Sequence, residues 1–194
     1  MTKQKRLTAT GLLALLSFNV WAHTGHETIV GFEQGWIHPW QGLDHVLVML
    51  TVGLWAATLK MTGRFLLPAV FLSFMALGAW VALQGYTVAE AELWVSLTVV
   101  LSGLALLERK NFNVLIMACA VALFAFLHGF VHMAEVGTQP LALHYIAGFM
   151  GSTALLLGLG LVTGLYQRRF KQGWMEFYAY FCATAGLFLL YSAS

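Results

Sequence analysis

Six apolar runs, near residues 43–59, 65–83, 92–107, 112–134, 141–165 and 174–193, follow one another with only short polar connectors between them. A hydrocarbon layer ~30 Å thick is crossed by about 20 helical residues, so runs of this size suit a membrane span. Within lipid every backbone N–H and C=O must find a partner inside the protein, which leaves helices or a closed barrel, and runs without polar alternation select helices. With 60% of 194 residues hydrophobic and only 9% charged, a soluble globule would lack the polar surface needed to stay dispersed. The expected fold class is all-α: a polytopic membrane bundle of six transmembrane helices over residues 43–194, with too little chain left for a separate soluble domain.

The residues ahead of that bundle read as two further segments. Lys3, Lys5 and Arg6 precede a short apolar run, Leu12 to Leu16, and Val20-Trp21-Ala22 supplies acceptable residues for signal peptidase. Residues 1–22 are therefore expected to be a cleavable signal peptide, and 23–42 a histidine-bearing start on the periplasmic side. Cleavage after Ala22 would place a free amine, His23 and His26 within four residues, three nitrogen donors able to capture a borderline divalent metal. The plainer alternative for the same residues is a polar leader with two incidental histidines.

Charge placement sets the expected orientation. Once the leader is set aside, the basic residues Lys60, Arg64, Arg109, Lys110, Arg168, Arg169 and Lys171 all fall in the first, third and fifth connectors. The positive-inside rule puts those connectors on the cytoplasmic side of an inner membrane and both mature termini in the periplasm. The second and fourth connectors carry Glu90 and Glu135 with no Lys or Arg. A net charge of +2 spread in this way gives nucleic-acid binding no support. Cys119 and Cys182 sit in apolar stretches outside any CxxC pair and read as packing residues. Gly148, Ser152, Gly160 and Gly164 recur at small-residue spacings that favour close helix approach.

In that orientation all seven histidines, His23, His26, His38, His45, His128, His132 and His144, lie towards the outer side. The fourth run, FAFLHGFVHMAEV, puts His128, His132 and Glu135 at i, i+4 and i+7, stacked along one helical face over about 10 Å. The first run opens with HPWQGLDHVLVM. There Pro39 is expected to start a helix on which His38, Gln41 and His45 share a face beside Asp44. An ionised carboxylate at the centre of a span is penalised by roughly 2.5–3.5 kcal/mol, so Asp44 calls for compensation by a cation, a protonated histidine or a position near the headgroups. Several imidazoles with one or two carboxylates and no thiolate suit Ni²⁺, Zn²⁺, Co²⁺ or Cu²⁺ better than Mg²⁺ or Ca²⁺, and the residues alone do not choose among them. Met49 and Met133 could add thioether donors, although gap-filling is the commoner use of Met in apolar bundles. His144 reads equally as a ligand at the mouth of the site or as a bundle histidine.

These residues carry a resemblance to the HupE/UreJ family of bacterial nickel permeases, found beside hydrogenase and urease genes. The family pattern H-P-x-x-G-x-D-H followed by methionine is met by His38, Pro39, Gly42, Asp44, His45 and Met49, and VGLWA continues it from Val52 to Ala56. The pattern H-G-x-x-H-x-x-E after Phe-Ala is met by Phe124, Ala125, His128, Gly129, His132 and Glu135. Two departures stand out: Met133 replaces a usual glycine, and the fifth-run pattern Y-x-x-G-F-x-x-x-T, Tyr145 to Thr153, continues into Leu156-Leu157 where a histidine often follows leucine. The resemblance implies a secondary permease importing Ni²⁺, or Co²⁺, from periplasm to cytoplasm for maturation of hydrogenase or urease. His38, Asp44, His45, His128, His132 and Glu135 would form its transport site. The metal would be cargo, with no prosthetic group and no enzymatic step.

The chain lacks a G-x-x-x-x-G-K-[ST] loop, so ATP is not expected to drive it, and its partners are the divalent ion and the lipid bilayer. Two readings from other classes use the same residues: a zinc-dependent intramembrane hydrolase, in which the ion activates water, and a metal-binding accessory or sensor protein.

Overall fold

The computed structural model describes residues 31–137, 140–167 and 173–193, and these form seven helices with no strand among them. The expected signal peptide, His23 and His26, and the basic residues Arg168, Arg169 and Lys171 lie outside the described residues. In chain order the helices are α1 (Phe32–Gln41), α2 (Leu43–Ala57), α3 (Met61–Ala82), α4 (Ala91–Leu107), α5 (Val114–Val136), α6 (Ala142–Gln167) and α7 (Trp174–Ala193). Of these, α3, α5 and α6 are long and apolar enough to cross a bilayer, and α2 and α4 are shorter apolar helices. Many large side chains on their outer surfaces are apolar and exposed, Leu115, Val162, Phe177 and Tyr191 among them. That is the surface of a protein whose solvent is lipid.

One expectation about local structure needs correction. Pro39 does not begin a helix: it sits inside α1, which starts at Phe32, and the break comes three residues later at Gly42. The backbone of Gly42 is extended (φ −96°, ψ 121°), so α1 and α2 are separate helices and His38, Gln41 and His45 do not share one helical face. A side chain at Gly42 would meet His45 and Asp44, its Cβ coming within 2.4 Å of His45 Nδ1. Glycine there lets those two side chains fold back over the chain. Other ends follow local chemistry. Asn113 caps α5 by accepting hydrogen bonds from Leu115 N and Ile116 N, both 3.0 Å, and Gly137, at φ 68°, closes it by donating to Met133 O.

The helices are assembled in close pairs. Glycines oppose one another at α1–α6 (Gly35 with Gly148), α2–α6 (Gly53 with Gly160) and α3–α5 (Gly78 with Gly129), and at α4–α7 Gly103 faces Ala183 while Gly186 faces Val100. In the first three pairs a Cβ on either glycine would lie 2.0–2.4 Å from a carbonyl oxygen of the partner helix. Backbones this close gain dispersion and weak Cα–H···O contacts, which matter where lipid removes the hydrophobic drive between helices. The small residues of α6 thus do what their spacing predicts: Gly148 receives α1, Gly160 and Gly164 receive α2, and Ser152 is fully buried. Contacts between α2 and α3, between α3 and α6, and between α4 and α5 are less extensive than those inside the pairs.

Polar groups in the interior join neighbouring helices. Thr51 and Ser102 lie 3.5 and 3.6 Å from Cys182 Sγ, which also donates to Val99 O, and the Tyr178 hydroxyl donates to Leu47 O at 3.0 Å. Cys119 and Cys182 are both unpaired by disulfide, as their sequence positions suggest. At the end of α4, Arg109 donates to Glu176 in the first turn of α7, which brings the third and fifth connectors to one end of the bundle. The start of α4 meets the last turn of α5 at the opposite end, where Ala91, Ala134 and Glu135 line one pocket.

Candidate metal centre

Four histidines from three helices converge at the end of the bundle that carries Glu135. His38 comes from the last turn of α1, His45 from the first turn of α2, and His128 and His132 from the C-terminal half of α5. His45 is the hub, with ring centroids 5.1 Å from His38, 4.2 Å from His132 and 5.3 Å from His128; His38 and His132 are 4.8 Å apart. Because the break at Gly42 turns α2 away from α1, two histidines seven residues apart meet from different directions.

Ligand nitrogens of His38, His45 and His132 all lie within 4.8 Å of one another. Two nitrogens bound to one ion at ~2.1 Å each are about 3.4 Å apart at a tetrahedral angle and about 4.2 Å apart when trans, so the widest pair must close by roughly 0.6–1.4 Å on binding. His45, His128 and His132 are buried and His38 is partly buried. This is a desolvated group of imidazoles, costly unless hydrogen bonds or a cation satisfy it.

The neighbours orient the rings. His128 Nδ1 lies 2.9 Å from the Phe124 carbonyl and donates to it, which leaves Nε2 as the lone-pair nitrogen, and that atom is buried with no hydrogen-bond partner among the described residues. Asp44 Oδ2 lies 2.9 Å from His45 Nδ1, off the axis of a hydrogen bond, and His45 Nε2 is likewise buried with no hydrogen-bond partner among the described residues. Glu135 Oε2 is 3.4 Å from His132 Nδ1. His128 and His132 each have Nδ1 hydrogen-bonded to an oxygen, the outer-shell arrangement that fixes histidine for metal binding through the other nitrogen. Phe71, fully buried, lies beneath His128 with ring centroids 6.4 Å apart.

The residues singled out from sequence are therefore placed unequally. His38, His45 and His132 form the core, His128 extends it about one helical turn deeper along α5, and Asp44 and Glu135 flank it. Glu135 is largely exposed and also lines the pocket with Thr87, Val88, Ala91 and Phe130. His144 is exposed in the first turn of α6 and is not one of the clustered groups. Met49 and Met133 are buried in the core, where they fill space beside the histidines. The α6 side of the site consists of Tyr145 and Phe149, neither of which is a metal-ligand type that its chemistry would single out. The signal for it was the fifth-run pattern Y-x-x-G-F-x-x-x-T.

Fold and site together define a class: an all-helical membrane protein that gathers imidazoles and carboxylates from separate helices inside an apolar bundle. Comparison with known proteins narrows this. Residues 11–189 match the family described as HupE / UreJ protein, and the chain is 34% identical over 163 residues, 83% of its length and 85% of the relative's, to "Protein HupE" of Rhizobium leguminosarum bv. viciae. The chain belongs to the HupE/UreJ family. No solved structure matches it.

Proposed function

We propose that the protein is a secondary nickel permease of the bacterial inner membrane, accepting Co²⁺ as well, that imports the ion from periplasm to cytoplasm for a maturing hydrogenase or urease. The observation that carries this reading is the convergence of three imidazoles, from α1, α2 and α5, within 4.8 Å at one end of an apolar bundle, with no thiolate among them. An imidazole and carboxylate donor set favours borderline divalent ions over Mg²⁺ and Ca²⁺. Membership of the HupE/UreJ family supports the choice of nickel and cobalt.

In this reading six helices, α2 to α7, span the membrane, α1 lies at the periplasmic mouth, and the Arg109–Glu176 end faces the cytoplasm. Residues 1–22 are removed, both mature termini are periplasmic, and His23, His26 and His144 serve as outer capture groups. Glu135 and the pocket beside it face the incoming ion, His38, His45 and His132 replace its water, and His128 takes it one turn deeper. A potential negative inside favours inward movement of a divalent ion by about 4.6 kcal/mol per 100 mV, so facilitated diffusion needs no ATP.

The test is uptake of ⁶³Ni²⁺ by proteoliposomes with an imposed inside-negative potential, comparing wild type with His45→Ala and Asp44→Asn. The permease predicts potential-driven uptake that His45→Ala abolishes. Tight retention of nickel by the protein without entry into the lumen would point to an accessory or sensor role, and zinc-dependent cleavage of a lipid amide or ester to the hydrolase.

A further inference from the structure

The fifth-run pattern, Y-x-x-G-F-x-x-x-T, is not used by the donor set just described, yet its two aromatic residues lie against it. Phe149 is buried, and its ring centroid is 5.5 Å from His38, 5.8 Å from His45 and 6.0 Å from His132. It touches all three members of the ligand group. Tyr145 stacks on it, with centroids 6.1 Å apart and planes inclined by 13°, and itself lies 5.9 Å from His38.

The backbone beneath these rings is pinned. A Cβ on Gly35 would come within 2.0 Å of Tyr145 O and 3.0 Å of Phe149 N, and one on Gly148 within 2.0 Å of Phe32 O. The helix that presents Phe149 is thus held against α1, the helix that presents His38. Behind the rings runs a narrow cavity lined by His132, Tyr145, Phe149 and Met75. Imidazoles close the site from α1, α2 and α5, and an apolar wall closes it from α6.

We infer that Phe149 sets the coordination number of this site, acting by denying water the α6 side of the bound ion. The inference rests on the reading of the histidines as metal ligands. A benzyl ring has no lone pair to offer, and its bulk occupies the position from which a water ligand would approach. An ion held there has nitrogen donors and few waters, so its coordination number is low. Ions that exchange water for imidazole accept such a shell, whereas Mg²⁺, which dehydrates reluctantly and demands six oxygen-rich positions, does not.

Cobalt(II) bound to the purified full chain in nanodiscs reads this directly, because four- and five-coordinate Co²⁺ absorbs far more strongly in the visible than six-coordinate Co²⁺. Wild type should give intense bands that millimolar Mg²⁺ leaves unchanged. Phe149→Ala should bind Co²⁺ with the same stoichiometry but with bands weakened several-fold, as water enters the shell. Phe149→Leu, which keeps apolar bulk and covers the case in which the alanine variant does not fold, should fall between the two. Weak six-coordinate bands in wild type, or undiminished bands in both variants, would overturn the assignment. Failure of wild type to bind Co²⁺ at all would instead remove the metal-site reading itself, and the assignment with it.

Discussion

At the scale of single residues, the site depends on groups that orient ligands as much as on the ligands. Asp44 is partly buried, 2.9 Å from His45 Nδ1, and Asp44→Asn keeps its shape while removing its charge. Loss of such an outer-shell carboxylate generally lowers metal affinity roughly 10- to 100-fold. The substitution should therefore raise the nickel concentration for half-maximal uptake by a factor in that range while the protein stays folded, which isothermal titration and uptake together would check. His128 is held by a main-chain carbonyl, Phe124 O, which side-chain substitution cannot remove. Its contribution is tested by His128→Ala, expected to leave binding at the group of His38, His45 and His132 measurable while sharply reducing transfer into the lumen. The spacing of His128, His132 and Glu135 was readable as a helical face, and the three do lie along α5. That His38 and His45 belong to different helices was not readable, because H-P-x-x-G-x-D-H looks like a helix start until the extended backbone of Gly42 is seen.

At the scale of helices, the apolar runs announce the elements and glycine decides how they meet. The runs expected near 43–59, 65–83, 92–107, 112–134, 141–165 and 174–193 coincide within a few residues with α2 to α7, since a long apolar segment in lipid has little choice but to be a helix. Which helices pair was not legible, because a glycine gives no sign of what approaches it. Gly129 and Gly158 illustrate the difference. A Cβ on Gly129 would lie 2.0 Å from the Met75 carbonyl oxygen, whereas one on Gly158 would meet nothing within 4 Å. Gly129→Ala must push α3 from α5, a strain on the order of 1–3 kcal/mol, and because Gly129 adjoins His128 it should also weaken nickel binding. Gly158→Ala should change neither property, and replacing a helical glycine should even stabilise that stretch slightly. Thermal unfolding of the two variants in the same detergent would measure the contrast.

For the whole molecule, the placement of the site across sealed helix pairs bears on how an ion could cross. His38 and His45 belong to the group α1, α2 and α6, whose members are joined at Gly35–Gly148 and Gly53–Gly160, while His128 and His132 belong to the pair α3–α5, joined at Gly78–Gly129. Contacts between the two groups are less extensive than those within them. If the protein transports an ion as proposed, the expected movement is at that boundary, with each glycine-joined group moving as a unit. Met75 of α3 and Thr153 of α6 touch across the boundary, Sδ to Oγ1 at 3.7 Å, and offer a place to lock it. Ser102 and Cys182 touch within the α4–α7 pair, Oγ to Sγ at 3.6 Å, and offer the matched control. In a Cys119→Ser background, Met75→Cys with Thr153→Cys, joined by a short thiol cross-linker, should stop ⁶³Ni²⁺ uptake without abolishing binding, and reversal of the link should restore it. Ser102→Cys linked to Cys182 should leave uptake near that of the unlinked protein. Equal loss from both links would mean that the α4–α7 pair also moves, and uptake undiminished by the first would mean that the ion crosses through a fixed path between the two groups.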